Sequence, residues 1–150
     1  MAGTLLVLCG CAQPDAGNPA PSAPARAGVV HVAASETCAP GSGPTCAAVG
    51  GEHVLVTPSD FTALGVATAS AAGDDRHAVD VVFDSAGAAT LEAVSRTVAG
   101  KGDNGRLVLR VKDRVISAVR VPGAVSVTTM RLALPDHLDA QDVAQQITHP

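Results

Sequence analysis

Residues 79–121 read VDVVFDSAGAATLEAVSRTVAGKGDNGRLVLRVKDRVISAVRV, and their changing periodicity decides the fold class. Val79, Val81 and Phe83 alternate with Asp80, which predicts a strand with one apolar face. Asp84 follows as a helix cap, because a carboxylate there accepts an orphan N–H of the first turn. Across 85–99, Leu91, Val94 and Val98 recur at i, i+3 and i+7. That spacing predicts a helix with one buried stripe, and leaves Glu92, Ser95 and Arg96 to face solvent. Gly100 ends it. RLVLRVK (106–112) returns to period two, with Leu107, Leu109 and Val111 inward. Arg106, Val108, Arg110 and Lys112 point the other way. Lys112-Asp113-Arg114 is a tight turn into VISAVRV (115–121), so these two strands form a hairpin.

Upstream, GVVHVAA (28–34) predicts a first strand and VLVT (54–57) a short one. PSDFTALGVATASAAG (58–73) has turn residues at both ends and is expected to be irregular, with one helical turn. Gly73-Asp74-Asp75 is a turn. Downstream, Pro122-Gly123 breaks the chain before AVSVTTMRLAL (124–134). In that last strand the apolar parity shifts from Val125 and Val127 to Met130, Leu132 and Leu134, which predicts a bulge or break near Thr128. Residues 139–148 form a final helix. Asp139 caps it, Asp142 stands in a capping-box position, and Leu138 with Val143 forms a hydrophobic staple. Ala140, Val143, Ala144 and Ile147 make its buried face. This order of elements predicts an α+β fold: a largely antiparallel sheet, polar on one face, with two helices on the other.

Composition narrows the function. A chain of 150 residues suits one domain. Its net charge of −4 and the lack of a basic cluster exclude nucleic acid as a partner. Two Phe, with no Tyr or Trp, leave no stacking platform for single strands or sugars. The N-terminal run MAGTLLVLCGC (1–11) is too short to span a bilayer, which takes ~20 apolar residues. It resembles the end of a secretory signal, and Leu8-Cys9-Gly10-Cys11 resembles a bacterial lipobox with Cys11 as the lipid acceptor. AQPDAGNPAPSAPARA (12–27) is a Pro/Ala-rich linker, extended because Pro forbids regular helix. Residues 28–150 follow as the head domain. Signal remnant, acceptor, tether and head predict a lipoprotein on the extracytoplasmic face of a bacterial cell membrane.

Two cysteines then remain. Cys38 and Cys46 bracket APGSGPT, which forms turns throughout, so a local disulfide is expected in an oxidising compartment. Two other states stay open: free thiols, or a zinc site formed by His31, Cys38, Cys46 and His53. The zinc set lacks the short Cys spacing of structural fingers, and His31 falls inside an apolar strand.

The segments that decide the fold also carry a resemblance. VVFDSAGAATLEAVS is similar to the V-x-F-x-x-x-G-A-x-x-F/L strand-to-helix junction of the first periplasmic domain of SecD, a membrane component of bacterial protein export. RLVLRVKDRVISAVRV resembles that family's R-L-A-I-x-L-D-G-x-V-I-S-A-P-x-V hairpin, and LPDHLDAQDVAQQI its closing F-T-x-E-E-A-x-x-L-A helix. VTPSDFTALGVATAS is like its L-T-G-x-D-V-x-x-A lead-in, so the pattern covers about residues 54–148. Lys112-Asp113 stands where the family has Asp-Gly, and Val119 where it has the proline of S-A-P. The resemblance implies a ferredoxin-like head, a place outside the membrane, and export machinery or an exported polypeptide as partner.

Motifs for chemistry are weak. Gly100 to Gly105 spell G-x-G-x-x-G, but after a helix and before a strand, the reverse of a dinucleotide site. Asp74, Asp75, Asp80 and Asp84 lack EF-hand spacing. His77, His137 and His149 are isolated and are expected at the surface. No G-x-S-x-G, H-E-x-x-H or P-loop occurs. The expectation is a non-enzymatic interaction module with no catalytic residue, cofactor or metal. The alternative is a surface lipoprotein that binds a ligand or metal.

Overall fold

The structure is a computed structural model and describes residues 27–150. The expected signal remnant with Cys9, the expected lipid acceptor Cys11 and the expected linker as far as residue 26 lie outside the described residues. Ten main elements follow in order: β1 (Gly28–Glu36), β2 (Cys46–Val49), β3 (Glu52–Leu55), β4 (Thr62–Ala71), β5 (Ala78–Phe83), α1 (Ser85–Gly100), β6 (Gly105–Val111), β7 (Arg114–Val119), β8 (Thr129–Ala133) and α2 (Ala140–Thr148). Six strands form one antiparallel sheet in the order β7-β6-β1-β4-β5-β8. β2 and β3 form a separate two-stranded hairpin. Helix α1 therefore joins β5 to β6 across the two strands between them. Among the described residues no helix is long and apolar enough to cross a membrane.

The core follows the predicted alternation. Val30, Val32, Leu64, Val66, Val79, Val81, Phe83, Leu107 and Leu109 form one inner face, on which Leu91 and Val98 of α1 and Val143, Ala144 and Ile147 of α2 pack. Both caps form as expected. The Asp84 carboxylate accepts the Gly87 N–H at 2.6 Å, and that of Asp139 accepts those of Gln141 and Asp142 at 2.8 and 3.1 Å.

Several local expectations are corrected. Residues 58–73 contain a single 3-10 turn at Pro58–Asp60, but then a ten-residue strand, β4, which pairs with both β1 and β5. Its apolar residues are Ala, Leu and Val, and a bulge between Val66 and Thr68 shifts its parity, so period two is lost in the sequence. The expected strand at 54–57 lies two residues earlier, as β3. The last strand begins only at Thr129, just past the predicted break, and residues 124–128 instead run along α1.

That last segment explains a further correction. Ser95, expected in solvent, is fully buried. Its hydroxyl donates to the Glu92 carbonyl at 3.0 Å and accepts the Val125 N–H at 2.7 Å, pinning the segment before β8 to α1. In Ser95→Ala the Val125 N–H loses this acceptor, at a cost of about 1–3 kcal/mol. Urea denaturation should show that loss, and amide exchange should quicken at Val125 before other sites.

Candidate interaction surface

The sheet face away from the helices was expected to be polar. Half of it is covered. Val108, pointing outward from β6, is fully buried beneath Val49 and Val54 of the β2–β3 hairpin, with Val56, Phe61, Val115 and Ala118 around them. Polar ties fix the hairpin there. Arg106 donates from Nε and Nη2 to the two oxygens of Glu52 at 2.6 and 2.9 Å, a bidentate pair that also holds the Glu52 carboxyl below its usual range. Ser35 of β1 donates to the Leu55 carbonyl, and the Cys38 N–H to the His53 carbonyl at 2.9 Å.

Cys38 and Cys46 are joined in a disulfide with their Cα atoms 6.0 Å apart, linking the end of β1 to the start of β2. Both thiols of the alternative zinc set are thereby consumed. Among the described residues no group of three or more His, Cys, Asp or Glu side chains is placed to hold a metal ion. His31 stands on β1 opposite Arg110 and His53 on β3 opposite Ala48, so the topology gives these two histidines separate surroundings. The disulfide closes a short loop, and the chain-entropy model gives roughly 2–3 kcal/mol for it. Cys38→Ser with Cys46→Ser should lower the urea midpoint by a corresponding amount while leaving the far-UV circular dichroism of the sheet in place.

The other half of the outer face is open. Ala63, Thr68 and Ser70 of β4 and Thr129, Arg131 and Ala133 of β8 are exposed, with Asp80 and Val82 of β5 half-buried between them. Arg131 ties this half together. Its guanidinium donates to both oxygens of Asp80, its cross-strand partner, at 2.7 and 3.0 Å, and reaches Asp74 of the β4–β5 connection at 3.1 Å. Hydrogen bonds from Arg131 hold both carboxyls below their usual range.

The boundary between the covered and open halves is a row of side chains from neighbouring strands: Arg110 on β6, His31 on β1 and Ala63 on β4. Arg110 lies 4.2 Å over the Phe61 ring. Burial first, and the Arg110 charge second, hold His31 below its ordinary value of 6.5. The sequence placed Arg110 on an outward position by strand alternation, but its adjacency to His31 depends on the β1–β6 register, which no local pattern encodes. The sign of the His31 effect is definite. Folding favours the neutral ring, so its contribution is complete above about pH 6.5 and is lost as pH falls through the lower folded value. Thermal midpoints measured downward from pH 6.5 should decline, and His31→Gln should flatten that portion of the curve.

The remaining sequence candidates are dispersed. His137 and His149 are exposed, whereas His77 is half-buried with its Nδ1 inaccessible and unbonded, a correction to its expected surface position. Gly100 to Gly105 form the helix end, a 3-10 turn at Gly102–Asn104 and the entry to β6, as their order implied. Asn104 accepts the Thr37 N–H at 2.9 Å, so the loop has a structural task. A depression of about 630 Å³ between residues 71–76 and Asp139–Gln141 holds Asp74, Asp75 and Asp139, but Asp74 is committed to Arg131 and Asp139 to its cap.

The chain is thus an α+β protein with a six-stranded antiparallel sheet, two helices and a disulfide-tied hairpin. No protein-family model, curated protein or solved structure matches it.

Proposed function

We propose that this chain is a lipid-anchored, extracytoplasmic interaction module without catalytic activity, accessory to protein export. In this reading Cys11 carries the lipid, residues 12–27 are the tether, and residues 28–150 are a ferredoxin-like head related to that of SecD. The observation that supports it is the open half of the outer face, where exposed small residues of β4 and β8 flank the Arg131–Asp80 pair. The Cys38–Cys46 disulfide is in keeping with an oxidising compartment. The resemblance to SecD supplies the export assignment.

Two measurements test this. Cys11→Ala should lose acyl labelling and tight membrane association, since stable anchoring takes at least two lipid chains. Unchanged labelling rejects the anchor. Thr68→Lys with Ser70→Lys alters the open face and not the core, so stability should stay within about 0.5 kcal/mol per site. In-cell crosslinking to neighbours and complementation of a deletion strain should both fall in that variant. A folded His137→Ala or His149→Ala protein that fails to complement would reject the non-catalytic assignment.

A further inference from the structure

The six-stranded sheet ends on β7 at one side and on β8 at the other, and the two edges are finished differently. β7 carries a bulge at Ile116, the residue skipped between the Leu109–Ser117 and Arg110–Val115 pairs, and its Val115 and Ala118 pack beside the valines of the β2–β3 hairpin. Bulges and cover of this kind keep an edge from pairing further. β8 has neither proline nor bulge, and its single charge, Arg131, is drawn onto Asp80 and Asp74.

The register shows what the β8 edge offers. The Leu134 N–H donates to the His77 carbonyl at 2.7 Å and the Phe83 N–H to that of Thr128 at 2.8 Å, so the even-numbered residues of this stretch exchange bonds with the β5 side. Thr129, Arg131 and Ala133 therefore turn their N–H and C=O groups away from β5. Among the described residues no strand pairs with them there, and all three are exposed. Three donors and three acceptors thus stand at the two-residue spacing of an extended chain. On the helix side of this edge Met130 is only half-buried at the rim of the core. A groove of about 500 Å³, between Ala88, Ala89 and Glu92 of α1 and residues 126–129, opens at the start of the strand.

We infer that the free edge of β8 takes an extended segment of another polypeptide as a seventh, antiparallel strand, with apolar side chains at alternate positions covering Met130. The inference rests on the reading of this chain as an interaction module and names what the module binds. A second copy suits the edge less well. Pairing β8 with β8 through all three positions sets Arg131 against Arg131, and five residues are far fewer than the ~20–30 a side of a stable protein interface. An extended segment gains its affinity from main-chain bonds and its selectivity from alternate side chains, and does not need that area.

The probe is acetyl-Lys-Thr-Val-Thr-Val-Thr-Lys-amide, titrated into the ¹⁵N-labelled full chain while amide exchange is followed. Its threonines fall opposite Thr129, Arg131 and Ala133 on the outer face, and its valines against Met130 and Leu132. Saturable binding should slow exchange at the Thr129, Arg131 and Ala133 N–H groups by about tenfold or more. N-methylation of the three threonines removes the donors that face β8 and should weaken binding by about tenfold or more. N-methylation of the two valines, whose N–H groups face away, should change it by less than about threefold. Ala133→Pro removes one outward N–H and no bond to β5, a place where an edge strand tolerates proline, and should weaken the peptide as well. Should that variant fail to fold, the methylated peptides decide. Absence of binding, or equal loss from both methylated peptides, rejects the added strand. Slow exchange at the three amides without peptide also overturns it, assigning the edge to a second copy where it rises with protein concentration and to a segment of the same chain where it does not. If the peptide fails to bind while Thr68→Lys with Ser70→Lys still loses its in-cell crosslinks, the interaction reading stands and the β8 edge alone falls.

Discussion

Close approach of backbone to backbone is the constraint on which the rest of this structure depends. With two Phe and no Tyr or Trp, the layers must be filled by Val, Leu and Ala, and short side chains fill space only when the layers sit near one another. The helices meet the sheet at glycines. A Cβ on Gly87 of α1 would collide with the Gly65 carbonyl oxygen of β4, and a Cβ on Gly28 of β1 with the Ile147 carbonyl oxygen of α2. At Gly87 the Asp84 cap is also formed, so the same turn starts the helix and seats it on the strand. Leu91 and Val98 of the same helix lie in the core.

The two faces of the sheet are then closed by different forces. The inner face is sealed by apolar burial alone, from side chains of both helices. The outer face is sealed only where a charge pair, a disulfide and three valines hold the β2–β3 hairpin down. Arg106 is mostly sheltered while Glu52 stays partly in water, with side-chain exposures of 10% and 44%. Such a pair gains from its bidentate geometry and avoids the full desolvation cost of a buried one. The hairpin is short, and its span sets where cover ends. It ends at Arg110 and His31.

Much of this was legible in the sequence, and the losses have physical causes. β5 and α1 keep a clean period of 2 or 3.6 because each has one buried face, the inward residues of β6 alternate cleanly in the sequence, and both helix caps are local chemistry. The disulfide was legible because a turn-rich stretch separates its cysteines. β4 was not legible, because a central strand of small residues with a bulge has no steady alternation. Ser95 was misplaced because its burial comes from residues 124–128 folding back along α1, a contact 30 residues away in sequence. The outer face was misread for a related reason. Val108 looked like one apolar residue among three basic ones, and only the distant hairpin makes it core.

The same blindness applies to two arginines of β6. In the sequence Arg106 and Arg110 are equivalent, two basic residues on the outward positions of one strand. Tertiary structure makes them different. The hairpin brings Glu52 to one and only Phe61 to the other. An arginine at the surface needs no partner, because water solvates it, and a fully buried one without a partner is not tolerated. Arg110 lies between these limits, beside a histidine whose neutral form its charge favours.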